Sequence, residues 1–202
     1  MRSPISALDH EKMPGIGHNQ GPPLESGHGF RVFAWKKARA QLMPKLPLEI
    51  LKRRVARAKD LGLAYPQYAS ILLGTGRDVV AFLFTSEAIG LRLARGGEIA
   101  EPARAKLSEI DAARLLMTDP ADDPIAVGAM LAGRYRLEMH GIGPAPQPNA
   151  DRKTGTRAIR ALLDPQKRPG DTVVMIGTQA CERDWADAAR LAKFLPASAY
   201  FG

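Results

Sequence analysis

The run DTVVMIGTQACERDWADAARLAKFLPASAYF, residues 171–201, constrains the fold more than any other part of the chain. DTVVMIGT, residues 171–178, is apolar at almost every position and rich in Val and Ile. That is the pattern of a strand buried on both faces. CERDWADAARLAKFL, residues 181–195, follows with Trp185, Ala188 (or Ala189), Ala192 and Leu195 at helical spacing. ASAYF, residues 197–201, reads as a short closing strand. Strand, helix and strand with short connections make a parallel, right-handed βαβ unit. DVVAFLFTS, residues 78–86, is a second continuous apolar run and joins the same sheet. The expected fold class is α/β: a small, mostly parallel sheet flanked by helices.

Between these strands the pattern is mixed. EAIGLRLA, residues 87–94, predicts a short helix ended by Gly96 and Gly97. EPARAKLSEIDAARLLM, residues 101–117, predicts one helix with Pro102 in its first turn and a stripe of Leu107, Ile110, Ala113 (or Arg114) and Met117. TDPADDP closes it. A further helix runs to about Ala132, with a strand expected through Tyr135–Met139. GPAPQPNADRKTGT, residues 143–156, reads as a Pro-rich surface loop.

In front of the α/β domain, expected over residues 77–202, lie two different segments. Residues 1–29 are rich in Pro, Gly, Ser and His and poor in large apolar residues, the composition of a disordered N-terminal arm. Residues 30–76 form a basic helical segment. FRVFAWKKARAQL, residues 30–42, predicts a first helix, and LEILKRRVARAKDLG, residues 48–62, a second, with Pro47 at its start. The apolar positions of the second, Leu48, Leu51, Val55, Ala58 and Gly62, are spaced 3, 4, 3 and 4 and form one stripe.

Charge sets this segment apart. The chain of 202 residues carries a formal net charge of +8. Residues 31–60 hold ten basic and two acidic residues, whereas residues 61–202 hold seventeen and sixteen. Concentrated positive charge attracts polyanions through counterion release and steering. Lys36, Lys37, Arg39, Lys52, Arg53, Arg54, Arg57 and Lys59 are therefore the candidate nucleic-acid contacts, with DNA and RNA both open. Trp35 is a candidate base-stacking group or a core residue. A solvated helix face is the plain alternative for such a charge run.

Two stretches resemble known patterns. GIGHNQGPPLE, residues 15–25, resembles a short N-terminal motif of uncharacterised bacterial and phage-encoded proteins, a likeness that implies no activity. The segment is a candidate docking peptide for a protein partner. Ala58 and Gly62, with Leu63 and Ile71 at buried positions, resemble a helix-turn-helix over residues 58–71. The resemblance implies a recognition helix at 66–73. That helix offers only Gln67, Tyr68 and Ser70 as polar readers, so the basic helix would supply phosphate contacts with little sequence reading.

Motifs for chemistry are sparse. Gly177 and Thr178, after the strand at 172–177, precede a helix N-terminus, and Gly74, Gly76 and Arg77 precede the other strand. Both are candidate anion-binding turns, although neither matches a P-loop or a dinucleotide fingerprint. Cys181 is the one cysteine, which excludes an intrachain disulfide and fits a reducing compartment. Glu182 and Asp184 beside it oppose a thiolate. Asp119, Asp122 and Asp123 read as a capped turn. No metal site and no cofactor fingerprint is present. No apolar run approaches the ~20 residues of a bilayer span, and MRSPISALDHEKMPGIGHN has no signal-peptide core. A cytoplasmic protein without membrane contact is expected. The leading expectation is a non-enzymatic nucleic-acid-associated accessory or regulatory protein. The alternatives are a small α/β enzyme or nucleotide-binding module, in which the two turns meet over a pocket, and an adaptor that uses residues 15–25.

Overall fold

Five short strands alternate with helices along residues 81–196, and every strand pairing is parallel. The structure, a computed structural model, describes residues 47–93 and 96–202. Its strands are β1 (Ala81–Thr85), β2 (Ala113–Thr118), β3 (Gly141–Pro144), β4 (Val173–Gly177) and β5 (Lys193–Pro196). They form one sheet in the order β3-β2-β1-β4-β5. The described helices are α1 (Leu48–Asp60), α2 (Tyr65–Thr75), α3 (Glu101–Glu109), α4 (Pro124–Tyr135), α5 (Arg152–Leu163), α6 (Ala180–Ala188) and the short α7 (Ala197–Phe201). The expected α/β class, a parallel sheet flanked by helices, is the observed one. The expectations for the arm at 1–29, the helix at 30–42, the peptide at 15–25 and Trp35, Lys36, Lys37 and Arg39 lie outside the described residues.

Strand side chains alternate between two cores. Phe82, Phe84, Leu116, Val174 and Ile176 pack with Ala58, Leu61, Ile71, Leu107, Leu131 and Tyr200 from α1–α4 and α7. Leu83, Leu115, Met117, Val173 and Met175 pack with Ile159, Leu163, Trp185 and Ala189 from α5 and α6. Burial on both faces is why β1 and β4 read as unbroken apolar runs. Helices α1 and α2 share the first core with the sheet, so the boundary expected at residue 76 falls inside one compact unit, Pro47–Gly202.

Several expected elements take another form. The helix expected over 101–117 stops at Glu109, Ile110 turns extended, and residues 113–118 become β2 beside β1. A short run buried on both faces satisfies helical and strand spacing equally. Here the ladder groups on the outer edge of β1 need partners, which a strand supplies. The helix expected over 181–195 ends at Ala188, followed by Arg190 at φ 56°, and residues 193–196 pair with β4 as β5. The expected closing strand at 197–201 is instead α7, whose Tyr200 hydroxyl donates to the carbonyl of Leu61 at 3.0 Å. Residues 86–90 are turns, not a helix. The strand expected at 135–139 lies at 141–144. The loop expected over 143–156 contains the last two residues of β3 and the first turn of α5, which Asp151 caps by accepting from Thr154 N–H at 2.9 Å.

Residues 61–64 form the turn that joins α1 to α2. Gly62 takes φ +62° in the turn, and Ala58, Leu63 and Ile71 are buried. The apolar stripe of α1 is used only in part: Ala58 is buried, but Leu48 and Val55 are 63% and 46% exposed. No described helix is long and apolar enough to cross a membrane.

Candidate ligand cleft at the carboxyl edge of the sheet

From β1 the chain adds β2 and β3 on one side and β4 and β5 on the other. In an open parallel sheet the loops diverge at such a switch point and leave a crevice beyond the carboxyl ends of the strands. A cavity of about 410 Å³ lies there, walled by the residues that follow β1, β2, β3 and β4. Its size is that of a small-molecule site. Leu91, Leu93, Met117, Trp185 and the loop Ala145–Pro148 supply apolar walls.

The polar lining is unusual in its burial. The described domain has five buried polar or charged side chains: Thr85, Ser86, Thr118, Thr172 and Glu182. Four of them, all but Thr172, line this cavity. The ends of β1 and β2 supply three of the four. Thr85 closes β1, and its hydroxyl accepts from Ala88 N–H at 3.4 Å. The Ser86 hydroxyl donates to the Met117 carbonyl at 3.4 Å, and that of Thr118, closing β2, reaches the Gly143 carbonyl at 3.5 Å. The Thr85 hydroxyl also hydrogen-bonds the Glu182 carboxylate, while the long contacts of Ser86 and Thr118 leave capacity for a further partner.

Glu182 comes from the first turn of α6. Its Oε2 accepts from the N–H groups of Thr178 and Gln179, at 2.6 and 2.9 Å. Burial pushes its carboxyl pKa up, partly opposed by those backbone donors. Gly177 is required beside it, because a Cβ there would overlap the Glu182 carboxylate and lie 2.8 Å from the Phe194 ring. On the rim, Glu87 accepts from Gln179 Nε2 at 2.7 Å and from Arg92 at 3.3 Å. Asp119 accepts from Ala121 N–H at 2.9 Å, and burial followed by the Asp119 charge raises the pKa of Asp122. The described lining therefore holds four carboxyl groups and one guanidinium, and no His, Cys or Lys. Such a lining attracts cations and hydroxyl or amide donors and repels phosphates.

The candidate anion sites do not converge. Gly74, Gly76 and Arg77 precede the amino end of β1, while Gly177 and Thr178 follow the carboxyl end of β4. The two strands are parallel and in register, so a strand length, about 16 Å, separates the turns. Gly76 is the left-handed cap of α2 at φ +69°, and Arg77 pairs with Asp171 at 3.5 Å. At Thr178 the N–H that would meet a phosphate is taken by Glu182. Cys181 is half-buried, its thiol pKa raised by burial and then by Glu182.

The basic helix is divided in role. Arg57 donates to Asp78 and Asp111, both at 2.9 Å, and to the Val79 carbonyl at 3.1 Å. It joins α1 to the start of β1 and the approach to β2. Lys52 pairs with Glu49 one turn away at 3.4 Å. Arg53 and Lys59 are exposed and Arg54 is half-buried; none of the three makes an ion pair with another described residue. The three polar readers expected on α2 are engaged internally. Tyr68 is buried and donates to Asp78 at 3.0 Å, Gln67 caps Ala64 N–H, and Ser70 meets Gln67 O and Lys193.

Thr85, Ser86 and Thr118 were not singled out by the sequence, and Glu182 entered only as a charge beside Cys181. The one signal for the three hydroxyl residues is position, at the carboxyl ends of apolar runs. Asp119 and Asp123 do cap turns as expected, Asp123 accepting from Ile125 N–H at 3.1 Å. Comparison with protein-family models, with curated proteins and with solved structures returns no match for this chain.

Proposed function

We propose that this chain is a small-molecule-binding α/β protein whose ligand occupies the cleft over Thr85, Ser86, Thr118 and Glu182 and is neutral or cationic, not a phosphate. The observation that carries this reading is the gathering of four of the five described buried polar side chains around one cavity at the switch point. Burying a hydroxyl or carboxyl costs free energy unless a partner repays it, so chance does not concentrate such groups at one strand edge. The acidic rim and the self-capped helix N-terminus argue against the nucleotide-binding alternative. A thermal-shift panel on the full chain tests the reading, with polyols, amines and amino alcohols set against sugar phosphates and nucleotides. Stabilisation by members of the first group is expected. It should be lost in Gln147→Trp, which adds bulk on the exposed wall of the cleft away from the core. Stabilisation by phosphates alone, or a ligand shift that survives Gln147→Trp, refutes it.

A second reading keeps the nucleic-acid expectation for Lys52, Arg53, Arg54 and Lys59, supported by the exposure of Arg53 and Lys59 on the outside of α1. Affinity for DNA or RNA that does not fall with salt would count against it.

A further inference from the structure

The seventeen basic and sixteen acidic residues of positions 61–202 are not evenly spread. Residues 61–150 hold eight basic and ten acidic residues, but residues 151–168 hold six basic and two acidic. This second cationic block is α5 and the turn after it. Its buried side is Gly155, Ile159, Leu162 and Leu163, which pack toward α6 and the sheet. At 100° per residue, Lys153, Arg157 and Arg160 stand on the opposite side, at i, i+4 and i+7. They form a line about 10 Å long. Lys153 and Arg157 are exposed and make no ion pair with another described residue. Arg160 donates to the Ala189 carbonyl at 2.8 Å, which brings the line to exposed Arg190. The nearby carboxylates are occupied or terminal: Asp184 pairs with Arg152 at 3.1 Å, Asp151 caps the helix, and Asp164 lies beyond its last turn.

We propose that the outer face of α5, through Lys153, Arg157 and Arg160, is a phosphate-backbone contact surface for nucleic acid. Cations in series with no large apolar neighbour suit a polyanion, whose backbone contacts need charge and spacing alone. A bilayer surface calls for an apolar face beside the cations. Among the described residues the exposed large apolar ones are Leu48, Ile50, Val55, Leu73, Val80 and Ile125, and none lies on α5 or α6. A protein partner calls for a buried anchor, which this face does not offer either. On α1, by contrast, apolar residues interrupt the cations and Arg57 is committed to Asp78 and Asp111. Helices α1 and α5 enter different cores and so lie on opposite faces of the sheet, which makes this surface distinct from the basic helix and from the cleft.

Fluorescence anisotropy with the full chain tests it, using a labelled DNA duplex and a labelled single-stranded RNA between about 50 and 200 mM salt. Each phosphate contact contributes about 0.9 to the slope of log affinity against log salt for a duplex, and about 0.7 for a single strand. The double variant Lys153→Ala, Arg157→Ala should lower the duplex slope by about 1.8. The wild-type advantage then shrinks about twelvefold across that fourfold salt range. Both positions are exposed and alanine favours helix, so the melting temperature should hold; Gln at both positions repeats the test if it does not. The proposal is overturned if the wild type binds neither probe, if the slope is unchanged, or if the same variant abolishes binding to polyglutamate or phosphatidylserine vesicles while nucleic acid goes unbound.

Discussion

Replacing Gly155 by alanine should destabilise this protein, although alanine is the better helix former. Gly155 lies inside α5, where Gly→Ala normally stabilises by about 1 kcal/mol. Here the added methyl group would overlap three atoms of the Trp185 indole, all closer than any van der Waals contact allows. Trp185 has little room to retreat. It is 3% exposed, packs in the second core, and donates from Nε1 to the Ala150 carbonyl at 3.4 Å. Overpacking of that kind costs about 3 kcal/mol, at the upper end of the usual range. The net loss is then about 2 kcal/mol, or a fall in Tm of roughly 4–8 °C for a domain of this length. Gly133→Ala is the matched control. It too lies in a helix, α4, but a methyl group there meets nothing within 4 Å. It should stabilise by about 1 kcal/mol and raise Tm by roughly 2–4 °C. Differential scanning calorimetry of both variants reads the two opposite signs. A Gly155→Ala protein as stable as Gly133→Ala would show that α5 and α6 are not packed through this glycine.

Arg57→Gln should lower Tm by roughly 2–12 °C, because it removes the charged donor shared by Asp78, Asp111 and the Val79 carbonyl and costs about 1–3 kcal/mol. It should leave the salt slope for duplex DNA unchanged; a slope reduced by about 0.9 would mean that Arg57 contacts phosphate after all. For Glu182, the folded pKa is raised above the ordinary 4.5, so the native state holds more protons through the window just above that value. Wild-type stability from this group is present below the window and declines as pH rises through it. Glu182→Gln removes the charge and keeps one carbonyl oxygen to accept from Thr178 or Gln179. The Tm of Glu182→Gln minus that of the wild type should therefore climb from pH 4.5 toward neutrality, and a difference that falls over that range would contradict the assignment.

The sequence alone determined the class of the fold. β1 and β4 are buried on both faces, and such strands leave apolar runs that no surface element shows. The turn at Gly62 and the inward side of α6 at Trp185 were likewise legible, since a left-handed angle and a helical stripe are local properties. What is not local was decided by tertiary structure. Leu115–Met117 became a strand because β1 had an unpaired edge, not because of its own spacing. Helix α5 was hidden behind the prolines and Gly155, a residue whose place in a helix makes sense only once Trp185 lies across it. Charge counts missed the stripe on α5 because they averaged it with acidic residues elsewhere, and they credited Arg57 to the surface although Asp78 and Asp111 hold it. The cleft depends on strand order most of all. Thr85, Thr118 and Glu182 come from three separate segments and meet only because parallel strands place all their carboxyl ends at one edge, with the chain parting there in two directions.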